Sequence, residues 1–379
     1  MHKVLFITRY PLFGKYNLKT KFDGQMSALR HLGYDVYFFA YDERYYYLVH
    51  QGERTPIMRV FATRTGFYHH ILSYILLYLS VIRVLRTSKW SSNDYAYIRS
   101  MPKELFWRIM KKKMQRLGVF IIVEKPTYIR DGREKPRWYI HFLSNFLSLF
   151  GKDKYTNLYT LIGDKTDGTY NGSPAINIDN GIDVSSISPR TPIPHTGINM
   201  IAVGHMADWH GFDRVIEGLA HFPDKKEIHF YIVGPDGDGS LEKWKHLTKE
   251  LNMQDIIHFT GPLYGEELGE LMNHCDVAFA SLGMYRKNCN SSSELKIREY
   301  FSRGLPIVYA ANDTVLDSYA SLYVKKIPND SRPVDIEEII HFVKSLPKDT
   351  LLQDMRNYAE QYMSWDVQFK KVFEYLKTN

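Results

Sequence analysis

The stretch 291-SSSELKIREYFSRGLPIV-308 decides how the chain is read. Three serines precede a charged, periodic segment. A hydroxyl there can accept from the free N–H groups of a first helical turn, so the spacing predicts a helix N-terminus. Glu294 in that turn suits the positive end of the helix dipole. Gly304 is placed to end the helix, and Pro306 keeps it from resuming. Ile307-Val308-Tyr309-Ala310 then reads as a buried strand. A helix start rich in hydroxyls and backed by Lys296 suits a phosphate. The competing reading is a plain surface helix, with Glu299 and Arg303 paired at i,i+4.

Outward from this unit, strand and helix signals alternate. On the N-terminal side they run as strand 3–9, helix 22–32 ending at Gly33, strand 35–40, amphipathic helix 69–86, strand 95–98, basic helix 103–117, strand 119–123 and aromatic helix 137–149. The Pro- and Ser/Thr-rich run 185–197 reads as a linker. The alternation restarts with strands at 199–203, 228–233, 256–259 and 276–280, separated by helices at 212–219, 241–251 and 266–273. Residues 335–377 read as wholly helical. Such alternation implies parallel sheets with helices on both faces. The expected organisation is a first domain over 1–187, a linker over 188–197 and a second domain over 198–350. C-terminal helices follow over 351–379, the last packing back on the first domain. Two doubly wound domains would leave a cleft where the carboxyl ends of both sets of strands face each other.

A chain of 379 residues suits two cores better than one. Its 44% hydrophobic and 24% charged residues place it with soluble globular chains. Cys275 and Cys289 alone build no disulfide or metal framework, which suits a reducing compartment. Val4-Leu5-Phe6-Ile7 reads as a first strand rather than the apolar core of a signal peptide. The run 71–85, broken by Ser73, Ser80 and Arg83, is too short to span a bilayer. Charge is unevenly placed. Residues 1–190 hold 29 Lys and Arg against 15 Asp and Glu, and residues 191–379 hold 20 against 27. The N-terminal half is therefore expected to meet something anionic.

Several pieces, in order, resemble family 4 glycosyltransferases of the GT-B fold. They are 122-IVEKPTY-128, 177-NIDNGIDV-184, 202-AVGHMADWHGFDRVIEGL-219, 230-FYIVGPDGDG-239, 258-HFTGPL-263, 275-CDVAFASLG-283 and 293-SELKIREYFSRGLPIV-308. The resemblance implies an α/β protein of two Rossmann-like domains about a central cleft. It implies a retaining transfer of a hexose-type sugar from a UDP- or GDP-linked donor, with no further cofactor and no metal. The likeness is greatest to bacterial capsule and exopolysaccharide transferases. It therefore implies a polyprenyl-diphosphate-linked saccharide as acceptor, and a cytoplasmic enzyme lying peripherally on the inner face of the plasma membrane.

On this resemblance Lys296 and Arg286 are the catalytic diphosphate contacts. Gly204, His205, His210, Gly234, Ser281, Ser293, Glu294 and Glu299 bind the nucleotide-sugar. Family members usually carry two glutamates with seven residues between them. Glu299 matches the second, a ribose ligand, but the first falls on Ser291, and Glu294 would have to substitute. His205 and His210 stand where the family often has Arg and Lys, so the phosphate grip is expected to pass to Lys296 and Arg286. Arg286 and Lys287 both lie in a loop, where each reads nearly as well as a solvated charge. The run 236-DGDG-239 lacks the later ligands of a calcium loop and reads as a turn on the nucleotide side.

Acceptor-side candidates are Gly14, Lys21, Glu124 and Tyr128, with Gln25 and Thr127 beside them. Gly14 reads equally as a plain turn, Lys21 and Gln25 as surface residues, and Glu124 as the partner of a nearby base. Helices 69–86 and 103–116 suit either an anionic bilayer or simple packing on the sheet. No nucleic-acid module accompanies the positive charge. Two other functions remain compatible: a non-hydrolysing nucleotide-sugar epimerase, or a degenerate member acting as a nucleotide-sugar-binding scaffold.

Overall fold

The computed structural model describes residues 2–11, 18–42, 44–60, 67–99, 105–125, 155–163, 167–319, 322–347 and 349–378. These divide into two units that part between Asp183 and Val184, and again between Ser364 and Trp365. Gly14, Thr127, Tyr128 and the helix expected at 137–149 lie outside the described residues.

The first unit carries β1 (Lys3–Pro11), β2 (Asp35–Tyr41), β3 (Tyr45–His50), β4 (Glu53–Arg59), β5 (Tyr95–Arg99), β6 (Phe120–Lys125), β7 (Leu158–Ile162), β8 (Gly168–Tyr170) and β9 (Ser173–Ile178). Their order is β4-β3-β2-β1-β5-β6-β7-β9-β8. The strands from β2 to β9 pair in parallel, while β3, β4 and β8 join as antiparallel edges. Successive side chains of a strand point to opposite faces, and both faces of a parallel sheet need covering. Leu5 and Ile7 accordingly enter one core, with residues of the helices Phe67–Thr87 and Leu105–Arg116. Val4 and Phe6 enter the other, with residues of Lys19–His31 and Trp365–Thr378. Trp365 is fully buried, and a Cβ on Gly24 or Gly181 would come within 2.8 Å of it. Burying an indole of this kind contributes about 5 kcal/mol from apolar area alone.

The second unit is a parallel sheet of β10 (Ile198–Val203), β11 (Ile228–Val233), β12 (Ile257–Gly261), β13 (Val277–Phe279), β14 (Ile307–Tyr309) and β15 (Val324–Lys326), in the order β12-β11-β10-β13-β14-β15. The chain winds one way from β10 and the other way from β13. A reversal of this kind opens a crevice beyond the carboxyl ends of the two strands at the switch.

Three expectations from the sequence need correction. The serines do not cap a helix. Ser291 is bridged to Asn312, and the Ser292 N–H donates to the Asn312 carbonyl, so this run lies extended beside the chain after β14. The helix is Leu295–Arg303, with Glu294 at its N-cap position and no side-chain cap. Its end is as expected: Gly304 has φ +76, a left-handed conformation that favours glycine. The C-terminal segment is not one helical run. The helices Ile336–Ser345, Leu351–Tyr358 and Trp365–Thr378 are interrupted at Leu346, which precedes Pro347, and at the extended Ser364. The run expected as a linker is strapped to the second unit. Arg190 donates to the carbonyls of Gly304 (2.8 Å) and Cys275 (2.5 Å), and Ile193 N–H donates to that of Asn273.

Candidate active site

Three loops meet beyond the carboxyl ends of β10, β11 and β13, and glycines let their backbones touch. Gly234 has φ +145, and a Cβ there would overlap the Gly204 carbonyl oxygen. Gly211 has φ +64, and its Cβ would lie 2.6 Å from the Gly283 nitrogen. Gly204 faces the His210 ring, which a Cβ would meet at 3.2 Å. The roles of Gly204 and Gly234 are thus legible as close backbone approach.

Onto this frame the helix Leu295–Arg303 delivers Lys296. Its ammonium lies 3.2 Å from Glu294 Oε2, 3.1 Å from His210 Nδ1 and 5.3 Å from the centre of the Phe212 ring. Glu294 is turned back from the helix start. Its Oε1 accepts from Ser281 N–H (3.2 Å) and its Oε2 from Ser281 Oγ (2.6 Å). Ser281 Oγ also lies 2.9 Å from His210 Nδ1.

The partners fix where the protons are. A carbonyl can only accept, so the 3.1 Å contact of His210 Nε2 with the His205 carbonyl puts a proton on Nε2. The single Ser281 proton goes to the carboxylate. Nδ1 is left as a lone pair facing the Lys296 ammonium. Burial, with the Lys296 charge added, pushes His210 well below the usual histidine range and keeps it neutral. Burial also lowers Lys296, opposed by the attraction of Glu294. Two of the three Lys296 N–H groups are accounted for by Glu294 and His210. The third has no protein partner among the described residues and is available to an incoming anion.

The other candidates are placed as follows. Glu299 is held by Arg303 one turn on, with Oε1 accepting at 3.0 and 3.1 Å. Ser293 is half-buried on the approach to the helix, and the His205 side chain is exposed. Arg286 was expected to grip phosphate, but it is bound elsewhere. One amino group donates to the Asp208 carbonyl (2.7 Å) and carboxylate (3.1 Å) and to Asp213 (3.1 Å). The other donates to Asp213 (2.6 Å), and Nε donates to Tyr285 Oη (3.0 Å). Two carboxylates already neutralise its charge. The 236-DGDG-239 turn spends Asp236 and Asp238 on backbone N–H groups, including those of Gly239, Ser240 and Asp208.

Two supports of the site were missed in the sequence. Tyr300 Oη accepts from Val203 N–H at 3.0 Å and pins the helix to the end of β10. Arg298, fully buried, donates through both amino groups to Asp313, which also accepts from Val315 and Leu316 N–H. An arginine two residues after Lys296 gave no sign that its partner lay after β14.

In the first unit Lys21, Gln25 and Glu124 come together, but inside the fold. Glu124 is buried. It accepts from Lys21 Nζ (2.9 Å), Gln25 Nε2 (2.6 Å) and Tyr97 Oη (2.8 Å), with Arg99 at 3.4 Å. Burial alone would raise its pKa. The charges of Lys21 and Arg99 and the hydrogen bonds outweigh that and hold it below the usual carboxylate range. Burial, only partly offset by Glu124, lowers Lys21 to about 8.

Comparisons with known proteins accord with this geometry. Residues 183–362 match the family model described as glycosyl transferases group 1. No curated protein matches the chain. Among solved structures, the chain is similar to sucrose-phosphate synthase from Thermosynechococcus elongatus (TM-score 0.65, 13% identity, 100% of each chain). It is similar to HepE from Anabaena in complex with UDP (TM-score 0.59, 13% identity, 100% of each chain). It is similar also to WaaG, a glycosyltransferase involved in lipopolysaccharide biosynthesis (TM-score 0.60, 16% identity, 97% of this chain and 98% of that one). The fold is GT-B, two Rossmann-like α/β units. Match and fold together support a glycosyltransferase that draws on a nucleotide-sugar.

Proposed function

We propose that the protein transfers a hexose-type sugar, with retention of configuration, from a nucleoside-diphosphate sugar to a polyprenyl-diphosphate-linked saccharide in building a surface polysaccharide. One observation carries this reading. At the switch point of the second sheet, Lys296 presents an ammonium with an unspent N–H beside a helix N-terminus, backed by Glu294, Ser281 and a neutral His210. Cleaving a glycosyl diphosphate passes through an oxocarbenium-like state while negative charge builds on the leaving group. A fixed cation and the positive end of a helix stabilise that charge where it forms. Glu299 takes the ribose, and Glu294 stays with Lys296. The UDP held by HepE and the lipopolysaccharide role of WaaG support the donor and acceptor classes.

The helices Phe67–Thr87 and Leu105–Arg116 serve this reading as a peripheral membrane face. Leu72, Leu79 and Ile109 are exposed, and so are Arg83, Arg86, Lys112 and Arg116. Each base near an anionic surface contributes about 1 kcal/mol. No helix among the described residues is long and apolar enough to cross a membrane.

The test is calorimetric binding of UDP and GDP to the wild type, Lys296→Ala and Glu299→Ala, followed by transfer assays on lipid-linked acceptors. One nucleotide should bind, and both substitutions should weaken it by about tenfold or more. Absence of binding at millimolar nucleotide would sink the donor site.

A further inference from the structure

The charges around Lys296 balance too well for a diphosphate. Lys296 is matched by Glu294. Arg286 is outweighed by Asp208 and Asp213. His210 is neutral in the tautomer its partners require. A ligand with two or three negative charges entering this loop cluster needs a cation that is not already spent, because an anion leaving water must be paired.

One such cation is at hand. Lys287 makes no ion pair among the described residues. Its ammonium lies over the Trp209 indole, 4.4 Å from the ring centre. That ring is itself fixed. It lies 3.9 Å from the His210 ring and packs on Met284, Cys289 and Ala311. The Gly283 N–H donates to the Trp209 carbonyl at 3.2 Å, which ties the loop bearing Lys287 to the loop bearing Trp209. The two loops thus bring Lys287 and Lys296 to opposite partners of the Trp209–His210 pair, whose rings are tilted at 31°. A cation held only by an aromatic face at a partly exposed position is weakly held. A phosphate oxygen offers it a charge-assisted hydrogen bond instead.

We infer that Lys287, not Arg286, is the second cation that meets the donor diphosphate, and that it leaves the face of Trp209 to do so. This rests on the donor site proposed above and names a contact within it. Arg286 is a positioning residue, holding the loops after β10 and β13 together through Asp208 and Asp213.

The experiment uses the full chain, UDP and GDP as probes, and the corresponding nucleosides as phosphate-free controls. Lys287→Ala should weaken whichever nucleotide the wild type binds by about tenfold or more and leave its melting temperature unchanged. Lys287→Arg should retain most of the affinity. Nucleotide should also change the tryptophan emission of the wild type, and that change should vanish in Trp209→Phe and shrink in Lys287→Ala. Wild-type affinity in Lys287→Ala, with binding lost in Lys296→Ala, overturns the inference and leaves the donor site standing. An equal loss for nucleoside and nucleotide also overturns it, since the effect then does not run through phosphate. If the wild type binds neither nucleotide, the donor site falls and takes this inference with it.

Discussion

Lys296 Nζ and His210 Nδ1 stand 3.1 Å apart, although 86 residues separate them in the chain. An ammonium can only donate, so the imidazole must accept, and it can do so only while neutral. The histidine that occupies a place where a second base was expected is therefore not a substitute cation. It is a neutral prop that aims the one beside it.

This has a consequence for acid stability. His210 has its pKa well below 6.5 in the folded chain, chiefly through burial, and unfolding restores about 6.5. Between those values only the unfolded chain binds the extra proton. The contribution of His210 is then complete above pH 6.5 and is lost as the pH falls below it. Within that window each pH unit costs up to about 1.4 kcal/mol. Urea unfolding at pH 7.5, 6.5 and 5.5 should show a stability difference between wild type and His210→Gln that narrows as the medium is acidified. A difference that stays flat with pH would mean that His210 titrates alike in the folded and unfolded chain, and one that widens on acidification would mean that it is protonated when folded.

Lys296 and Glu294 should be coupled in stability but not in binding. Lys296→Met leaves a shielded carboxylate without its base, and Glu294→Gln leaves a shielded ammonium without its acid. Each should cost about 1–3 kcal/mol. Lys296→Met with Glu294→Gln removes both charges and should recover a large part of that loss. The double variant should nevertheless bind nucleotide no better than Lys296→Met. Recovered stability with recovered affinity would place the phosphate contact elsewhere.

The second sheet and its ligand edge were legible from β10 to β14 because those strands are short apolar runs, with Gly204 and Gly234 directly after β10 and β11, and because Gly304 and Pro306 punctuate the helix Leu295–Arg303, whereas β15, Val-Lys-Lys, carries no such signal. The first sheet was legible only in its parallel centre. Its edge strands, such as β4 with its exposed Glu53, Arg54 and Thr55, carry little apolar alternation, because an edge strand faces water along much of its length. Site chemistry was readable by residue type and not by partner. That Lys21, Gln25 and Glu124 belong together could be suspected from the sequence. That they close on one another inside the fold depends on β6 lying beside β5 and on the helix Lys19–His31 packing above them, which is tertiary information. The Arg286 case is the same. Nothing local says that Asp208 and Asp213, some 70 residues earlier, claim its guanidinium.

Glycines in the loop cluster should differ sharply in what they tolerate. Gly234→Ala combines a φ of +145 with overlap onto the Gly204 carbonyl, and backbone cannot move aside cheaply. It should lower stability by about 3 kcal/mol or more and abolish nucleotide binding. Gly239→Ala, at φ +86 with nothing within 4 Å, should cost only about 1 kcal/mol and leave binding intact. Thermal unfolding of the two variants checks the order. Equal costs would mean that the loops after β10 and β11 do not meet as closely as the structure has them.

Glu124 separates a structural role from a catalytic one. It is buried among Lys21, Gln25, Tyr97 and Arg99, a closed set that uses both of its oxygens. Glu124→Gln keeps the shape and removes the charge, leaving two bases without their acid. The loss should be about 3–5 kcal/mol. Lys21, already lowered to about 8 by burial, should fall further once the attraction of Glu124 is gone. A folded pKa below the unfolded 10.5 means that the charged lysine is a burden at neutral pH, and the burden lifts as the pH rises through the folded value. Glu124→Gln should therefore be least stable near neutrality and regain stability toward pH 9. Lys21→Met in the same chain should restore stability at pH 7. If Glu124→Gln instead unfolds like the wild type and only transfer activity is lost, the carboxylate acts on the acceptor and not on the fold.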